Sequence, residues 1–314
     1  MADSKRWTPM GWALLLAATS TFAAPTPASP ASTGAPTGAH DEVAADAPPP
    51  ALDVLLDQAE ALRTADRHRF ARLVDALNLR AAEASPAQLE RLEVLNIYDL
   101  ANAGRYDLAI GRGRALFEHT GDAETRFRVG ALVVNGLAAT REFAEALRVL
   151  DDTLSLAGQV RDPQLLHHGL AAAAVIHNKV GQHDLALHYA ERVLDDQPTP
   201  RTSCLVGHAR LEALQALGRL ATESAAISHL ITRCQRAGET VGGHFLRAFL
   251  ARQMAASGQR AQAIAMLELH LADIRETGYP RLLGETESLL AELLLAEGRF
   301  EEAEAHARVA VGNS

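Results

Sequence analysis

Thirteen histidines and two cysteines are the side chains of this 314-residue sequence best suited to ligate a metal or transfer protons. The spacing of the histidines argues against a single-helix metal site. His167 and His168 are adjacent, so on a helix their side chains point about 100° apart and cannot share one ion well. His183 and His188 lie five residues apart, which is also poor for one helix face. A site assembled across separate helices, for example from His168 and His208, stays open as an alternative.

Motifs for nucleophilic, metal and nucleotide chemistry are absent from the sequence. There is no His-Glu-x-x-His, no Cys-x-x-Cys, no Gly-x-Ser-x-Gly elbow and no Walker-type loop. The Gly-Arg-Gly run at 111–113 lacks the third glycine of a nucleotide loop and lies within a helical pattern. Acidic pairs at 151–152 and 301–302 are typical of solvated helix surfaces. We therefore predict a protein that is not an enzyme and needs no cofactor or metal.

Cys204 and Cys234 are the only cysteines, and their positions favour a disulfide. A turn at Gly218–Leu220 separates them, so each lies about fifteen residues from it, and equal offsets in an antiparallel hairpin give similar heights. An oxidising compartment favours the bond. In the chain-entropy model the closed loop stabilises the fold by roughly 3 to 4 kcal/mol. Two buried free thiols are the alternative.

The composition favours helices and excludes some classes of partner. Alanine and leucine dominate, aromatic residues make up only 4%, and no long stretch alternates apolar and polar residues. The formal net charge is -9, Lys5 and Lys179 are the only lysines, and the arginines are scattered. Without a basic stripe, binding to nucleic acid or to an anionic membrane surface is not expected.

Residues 1–23 have the layout of a secretory signal peptide. Lys5 and Arg6 are followed by an apolar run at Met10–Ala18 and by small residues one and three positions before a cut after Ala23. The apolar run is much shorter than the roughly 20 residues that span a bilayer, although an uncleaved anchor stays open. We predict a secreted, periplasmic protein whose mature chain has no stable membrane insertion.

Residues 24–50 are rich in Ala, Pro, Ser, Thr and Gly and include seven of the thirteen prolines. Such a segment buries too little apolar surface to offset its ordering entropy, so we predict a disordered linker. Either the segment is a tether that spaces residues 51–314 from another structure, or it merely exposes the cleavage site.

From residue 51 to residue 314 the sequence repeats. Ser85-Pro86-Ala87-Gln88 reads as a capping box, and prolines follow capping residues at 162–163 and 199–200. Turn marks at Gly104, Arg141, Gly181, Gly218, Gly258 and Gly298 are separated by 37, 40, 37, 40 and 40 residues. A fixed period of this size predicts an all-α, right-handed α-solenoid, with another type of α-solenoid or an irregular helical bundle as the alternative. About seven helical hairpins are predicted, at 51–82, 85–120, 122–160, 162–197, 199–238, 239–278 and 279–311.

The turn pattern Gly-x-(aromatic or His)-x-x-Ala, seen at 104–109 and 181–186, resembles the tetratricopeptide repeat. The repeats are degenerate, since their period exceeds the usual 34 residues and the consensus tryptophan is mostly missing. The stretch from Ser85 to Arg308 also resembles the periplasmic sensor region of membrane-bound bacterial diguanylate cyclases. The Gly-Gly-Asp/Glu-Glu-Phe signature is absent, so the resemblance implies a stand-alone relative or a truncated sensor without cyclase activity.

The tetratricopeptide resemblance implies that the first helix of each hairpin lines a concave groove that takes a peptide or a partner helix. Groove positions then fall six residues before each turn mark and again seven residues earlier. Positive members lie toward the N-terminal end and acidic members toward the C-terminal end. The predicted binding residues are Arg91, Tyr98, Arg128, Asn135, His168, His208, Glu212 and Arg252.

We therefore predict a periplasmic interaction or sensor module that binds a peptide, a protein or a small ligand in this groove. Alternatives are the truncated sensory portion of a transmembrane diguanylate cyclase, a cell-envelope assembly scaffold, or a cell-wall enzyme with catalytic residues across hairpins. The oligomeric state stays open.

Overall fold

The computed structural model describes residues 51–220 and 224–312, so the predicted signal peptide and linker lie outside the described residues. The described residues form helices and no strands, which confirms the predicted all-α solenoid. Fourteen α-helices within these ranges pair into seven antiparallel hairpins. They are α1 (Leu52–Leu62), α2 (Arg67–Leu79), α3 (Pro86–Asn102), α4 (Tyr106–His119), α5 (Ala123–Ala139), α6 (Phe143–Ser155), α7 (Pro163–Lys179), α8 (His183–Asp195), α9 (Pro200–Ala216), α10 (Ser224–Arg236), α11 (Thr240–Ala256), α12 (Arg260–Glu276), α13 (Pro280–Ala296) and α14 (Phe300–Val311).

The helices begin where the sequence places its caps. The Ser85 side chain accepts from the Gln88 amide, and the Gln88 side chain accepts from the Ser85 amide, so the predicted capping box is present. Asp162 and Thr199 likewise accept from amides in the first turns of α7 and α9. Each such cap is worth about 0.5–2 kcal/mol. Local sequence therefore fixes these boundaries without help from distant residues.

The turns within the second to the seventh hairpin each use a residue in the left-handed conformation. Glycine supplies it at most of them, for example Gly181 with φ 78°. Arg141 occupies this place in the third hairpin with φ 64°. A side chain in this region costs about 1–2 kcal/mol, which the surrounding hairpin must offset. The third hairpin therefore has the same turn geometry as the others, although arginine is less suited to this conformation than glycine.

The helices form two layers. Each odd-numbered helix packs on the next odd-numbered helix, from α1 through α13, whereas each even-numbered helix packs on the odd-numbered helices flanking it. The array therefore curves toward the odd-numbered layer, and that layer is its concave side. Apolar contacts run between hairpins, as where Val94, Val133 and Ile176 share one buried cluster. Each hairpin alone would leave this face exposed, so the stack is the folding unit.

The predicted disulfide is present between Cys204 of α9 and Cys234 of α10. Their Cα atoms lie 5.7 Å apart, and both residues are buried. The bond joins the two helices of the fifth hairpin on either side of its turn. Among the described residues, no helix is long and apolar enough to cross a membrane.

The last hairpin exposes apolar as well as acidic side chains. Glu301 and Glu302 are exposed as predicted, but Phe300 is 62% exposed and Val311 is 78% exposed. The end of the array therefore presents a mixed surface instead of a uniformly polar one.

Candidate functional site

The eight predicted binding residues all lie on helices of the concave layer. Arg91 and Tyr98 are on α3, and Arg128 and Asn135 are on α5. The rest are on the following helices of the same layer: His168 on α7, His208 and Glu212 on α9, and Arg252 on α11. Their surroundings differ, and these differences decide which of them can meet a ligand.

The guanidinium of Arg91 forms ion pairs with the first hairpin. Its guanidinium lies 2.6 Å from Asp57, 3.1 Å from Glu60 and 3.4 Å from Asp53, all on α1. Three carboxylates around one guanidinium hold α1 against α3 and leave little of its charge for a ligand. We therefore assign Arg91 a role in holding the first helix.

Tyr98 is half-buried and lies under a second arginine. The Arg63 guanidinium carbon is 4.8 Å from the centre of the Tyr98 ring, a distance suited to a cation–π contact. The Tyr98 ring also packs against buried apolar residues of the first two hairpins. Arg63 itself is buried, at 7% exposure. Tyr98 thus contributes mainly to packing at the N-terminal end of the concave side.

His168 lies in a positive region. Burial, and after it the charges of Arg63, Arg128 and Arg201, lowers the pKa of His168 to about 3. The imidazole is therefore neutral at physiological pH. The charges of three arginines act on this part of the concave layer. One follows the end of α1, and the others are on α5 and α9. Their combined positive potential favours an anionic group there.

His208 and Glu212 lie in a different environment on α9. The Glu212 carboxylate is 3.8 Å from the Lys179 ammonium and 4.0 Å from His208. Burial lowers the pKa of His208, while the Glu212 charge opposes that shift. The His208 ring lies beside the ring of Phe245, with centroids 6.3 Å apart. This part of the layer therefore combines an aromatic surface with acidic groups.

Three of the predicted residues have free polar groups. Asn135 and Arg252 are exposed, and Arg128 is partly exposed. Within 51–220 and 224–312, no carboxylate lies within 4.0 Å of either Arg128 or Arg252. Arginines of the outer layer contrast with them, since Arg112 pairs with Glu93. Arg128 and Arg252 thus place on the concave layer two guanidiniums that no described carboxylate neutralises.

Residues that the sequence does not single out hold the first hairpin against the later hairpins. The Arg201 guanidinium, near the start of α9, donates to the carbonyls of Glu60 at 3.1 Å and Ala61 at 2.6 Å. It also donates to the Glu239 carboxylate at 3.1 Å, which accepts from the Thr64 hydroxyl at 2.8 Å. Arg201 therefore satisfies carbonyls in the last turn of α1, where a cation is favoured.

A second group of contacts lies beside the first. The Tyr279 hydroxyl donates to the Arg63 carbonyl at 2.7 Å, and the Asn102 amide donates to the same oxygen at 3.1 Å. Burial raises the pKa of Tyr279, so the phenol stays protonated and able to donate. Arg67 donates to the carbonyl of Gly278. We call the contacts of Arg201, Glu239, Tyr279 and Gly278 with residues 60–67 the seam.

The seam has no local sequence signal. Arg201 follows a cap and a proline, as the second residue of a helix commonly does, and nothing nearby marks its partners. Tyr279 offers a weak signal, because it occupies a cap position before Pro280 and its side chain makes no capping bond. Its hydroxyl bonds across the seam instead.

In two of the close contacts between an imidazole and a carboxylate, at least one partner is buried, whereas a third contact, His270 Nδ1 with Asp273 at 3.5 Å, has an exposed carboxylate. His306 contacts Glu287 at 2.5 Å, but Glu287 is completely buried and also paired with Arg275. His167 contacts Asp196 at 2.9 Å and is 1% exposed. Among the described residues, no three His, Cys, Asp or Glu side chains converge to hold a metal ion. His168 and His208 have separate surroundings, as described above.

The chain matches no protein-family model and no curated protein sequence. Its fold is similar to solved helical-repeat structures. A Rap protein complexed with competence and sporulation factor is 12% identical, with a TM-score of 0.62, over 83% of this chain and 76% of that chain. The apo form of RapI is 8% identical, with a TM-score of 0.54, over 83% of this chain and 97% of that chain. BtubC (BKLC) from P. vanneervenii is 17% identical, over 68% of this chain and 89% of that chain, with a TM-score of only 0.47.

Rap proteins are tetratricopeptide-like helical solenoids, so the two Rap structures agree with the predicted repeat class. At these sequence identities the likeness shows the fold alone. The BtubC match is too distant in structure to support an argument. The resemblance to the sensor region of diguanylate cyclases is not addressed by these neighbours and stays a prediction.

Proposed function

We propose that this chain is a non-enzymatic periplasmic interaction module that binds an extended peptide segment of a partner protein along its concave layer. The observation that carries the proposal is the set of wholly or partly exposed polar side chains on that layer that have no partner among the described residues. Arg128 and Arg252 have no carboxylate within 4.0 Å among the described residues, and Asn135 is exposed between them in sequence. A peptide supplies both the counter-charges and the backbone groups that such side chains can bond.

The charge distribution favours one orientation of the peptide. In the α5–α7 part of the layer, the charges of Arg128, Arg63 and Arg201 all act on the neutral His168. The α9–α13 part has the acidic residues Glu212 and Glu285, of which Glu285 also acts on His208. We expect acidic side chains or the terminal carboxylate of the peptide at the former and basic side chains at the latter.

The structural neighbours support the proposal at the level of fold only. One of them is a Rap protein complexed with competence and sporulation factor, so a solenoid of this shape class accommodates a bound factor. The proposed location outside the cytoplasm depends on the signal-peptide pattern of residues 1–23. Fractionation of cells that express the full-length chain, with N-terminal sequencing of the exported form, tests it. Retention in the cytoplasm with an intact N-terminus would contradict the location.

The binding test compares two sets of substitutions in the exported full-length protein. The groove variant carries Arg128→Gln, Asn135→Ala and Arg252→Gln. The control carries Arg72→Gln and Arg192→Gln, which change exposed arginines of the outer layer. We expect a partner captured from periplasmic extract to be lost with the groove variant and kept with the control, at unchanged helical circular dichroism. Equal capture by both variants would contradict a concave binding site.

A benzophenone side chain introduced at position 135 should link the partner to the concave layer. The same group at Asp152, exposed on α6 of the outer layer, should not. Mass spectrometry of the linked peptide then identifies the partner segment and its direction. Linking from position 152 alone would assign the interaction to the outer layer.

An envelope-assembly scaffold, or the sensory portion of a larger signalling protein, is the second candidate. The observation that favours it is the apolar exposure on the last hairpin, with Leu295 59%, Phe300 62% and Val311 78% exposed. In this case Phe300→Ser should abolish capture of a partner that the groove variant keeps.

A further inference from the structure

A cavity of about 520 Å³ lies beside the seam, between the first hairpin and the fifth and sixth hairpins. Arg67 and His68 line it from the start of α2, and His244 and Arg247 line it from α11. Its size suits a small organic molecule with some water. The cavity is separate from the predicted groove residues, none of which lines it.

The inner wall of the cavity contains a buried guanidinium that forms no ion pair with any described carboxylate. Arg247 is only 6% exposed, and no carboxylate of a described residue lies within 4.0 Å of it. One nitrogen of Arg247 is 3.2 Å from Nδ1 of His244, which is itself 3% exposed. Burial lowers the pKa of Arg247, and the charge of Asp273 opposes that shift. A buried charge of this kind is unfavourable unless an anionic group bonds it.

His244 acts as a neutral hydrogen-bond acceptor toward Arg247. Burial, together with the charge of Arg247, lowers the pKa of His244 to about 4. Since Nδ1 accepts from the Arg247 guanidinium, the proton of the neutral ring is on Nε2. His244 thus holds Arg247 in place without supplying it with a negative charge.

Arg67 contributes an unsatisfied buried donor to the same cavity. Its Nε–H is buried and has no hydrogen-bond partner, although the other end of the guanidinium donates to the Gly278 carbonyl. Most buried polar groups in proteins are hydrogen-bonded, so we expect an unpaired donor in a cavity wall to bond a ligand. Arg67 and Arg247 come from opposite sides of the seam and line one space.

The mouth of the cavity is acidic. Asp273 and Glu276, from the end of α12, line it and are exposed, and the exposed Asp66 lines it from the start of α2. Asp66 is engaged in capping α2 through the Arg69 amide. The carboxylates at the mouth disfavour a ligand with several negative charges, such as phosphate. They favour a ligand that also has an ammonium group.

We propose that this cavity binds a free α-amino acid, with its carboxylate on Arg247 and Arg67 and its ammonium group at Asp273 and Glu276. A carboxylate matches the planar fork of a guanidinium, and the two charges of the ligand match the buried cationic wall and the acidic mouth. The side chain then occupies the remaining space beside Val241 and Tyr279. This site goes beyond the proposed peptide groove and does not depend on it.

The first test measures thermal unfolding of the exported full-length protein with each of the twenty standard L-amino acids, followed by titration calorimetry. Propionate and inorganic phosphate serve as anions without an ammonium group. We expect saturable 1:1 binding of at least one amino acid and much weaker binding of both anions. If none of the twenty binds, or if propionate or phosphate binds as tightly, the proposal is overturned.

Variants then locate the site. Arg247→Gln should weaken binding about 10- to 100-fold, because it removes hydrogen bonds between charged groups. Arg260→Gln, on α12 and paired with the exposed Glu297, is the matched control and should bind as wild type. Asp273→Asn with Glu276→Gln should weaken amino-acid binding while strengthening binding of propionate. Wild-type affinity in the Arg247 variant, or equal losses in the control, would overturn the assignment.

The stability of Arg247→Gln without ligand is a separate check. If Arg247 is kept for a ligand, removing its uncompensated buried charge leaves the unfolding temperature unchanged or raises it. A large decrease in unfolding temperature would assign Arg247 to the fold and overturn the proposal.

Discussion

The hydroxyl of Tyr279 donates a 2.7 Å hydrogen bond to the carbonyl oxygen of Arg63, 216 residues earlier in the chain. This bond joins the first hairpin to the start of the seventh. Together with the contacts of Arg201, it holds the N-terminal hairpin against hairpins that are remote in sequence. The curvature of the array brings these residues together, and the concave layer lies between them.

Tyr279→Phe should lower the free energy of unfolding by about 1 kcal/mol, since one buried hydrogen bond is lost while the ring stays. The Arg63 carbonyl keeps its bond from Asn102, which limits the loss. Urea unfolding measures the change. Tyr189→Phe, at a ring that stacks on His177, is the control and should be close to neutral. Equal effects of the two substitutions would argue against a seam held by Tyr279.

Arg201→Ala should lower the free energy of unfolding by about 3–5 kcal/mol, because it leaves the Glu239 carboxylate buried with only Thr64 as a partner. Arg201→Ala combined with Glu239→Ala should be less harmful than the sum of the single changes. Amide hydrogen exchange in α1 should become faster in the single variant, since the Glu60 and Ala61 carbonyls lose their donor. Additive losses, or unchanged exchange in α1, would contradict the coupling.

Replacement by alanine should have opposite effects on protein stability at two glycines within helices. A Cβ on Gly169 of α7 would lie 2.3 Å from the Phe127 ring, so Gly169→Ala should destabilise the protein by about 1–3 kcal/mol. A Cβ on Gly111 of α4 would meet nothing within 4 Å, so Gly111→Ala should stabilise the protein by about 0.5–1 kcal/mol. Thermal unfolding of the two variants checks both signs. A stabilised Gly169→Ala protein would mean that α5 and α7 pack less closely than described.

The depressed pKa of His168 predicts a dependence of stability on pH. The folded-state pKa is about 3, whereas the ordinary value is 6.5. Between these values the unfolded chain binds a proton that the folded chain does not, so the free energy of unfolding falls as the pH drops from about 6.5 toward 3. Above pH 6.5 the group is neutral in both states and contributes no penalty.

His168→Gln should therefore reduce the loss of stability between pH 6.5 and pH 4 and change little at pH 8. Urea unfolding at several pH values measures this difference. His229→Gln, at an exposed position of α10, is the control and should keep the slope of the wild type. An unchanged slope in the His168 variant would contradict the buried, neutral state of this imidazole.

The sequence by itself determined the helices, their pairing into hairpins and the disulfide. These features depend on local interactions: Ser85 and Gln88 are three residues apart, Gly181 accepts the left-handed turn, and Cys204 and Cys234 face each other across one hairpin. The period of the turns then predicted the stack, because each amphipathic hairpin must bury its apolar face on a neighbour.

Only the tertiary structure decided which concave residues are free and which are engaged. Arg91 and Arg128 occupy equivalent places in the repeat, yet α1 supplies carboxylates to Arg91 and no described carboxylate reaches Arg128. The seam and the cavity beside it also depend on where the seventh hairpin meets the first. The place where they meet depends on small rotations between successive repeats that accumulate along the array. No local pattern of residues specifies this accumulated rotation.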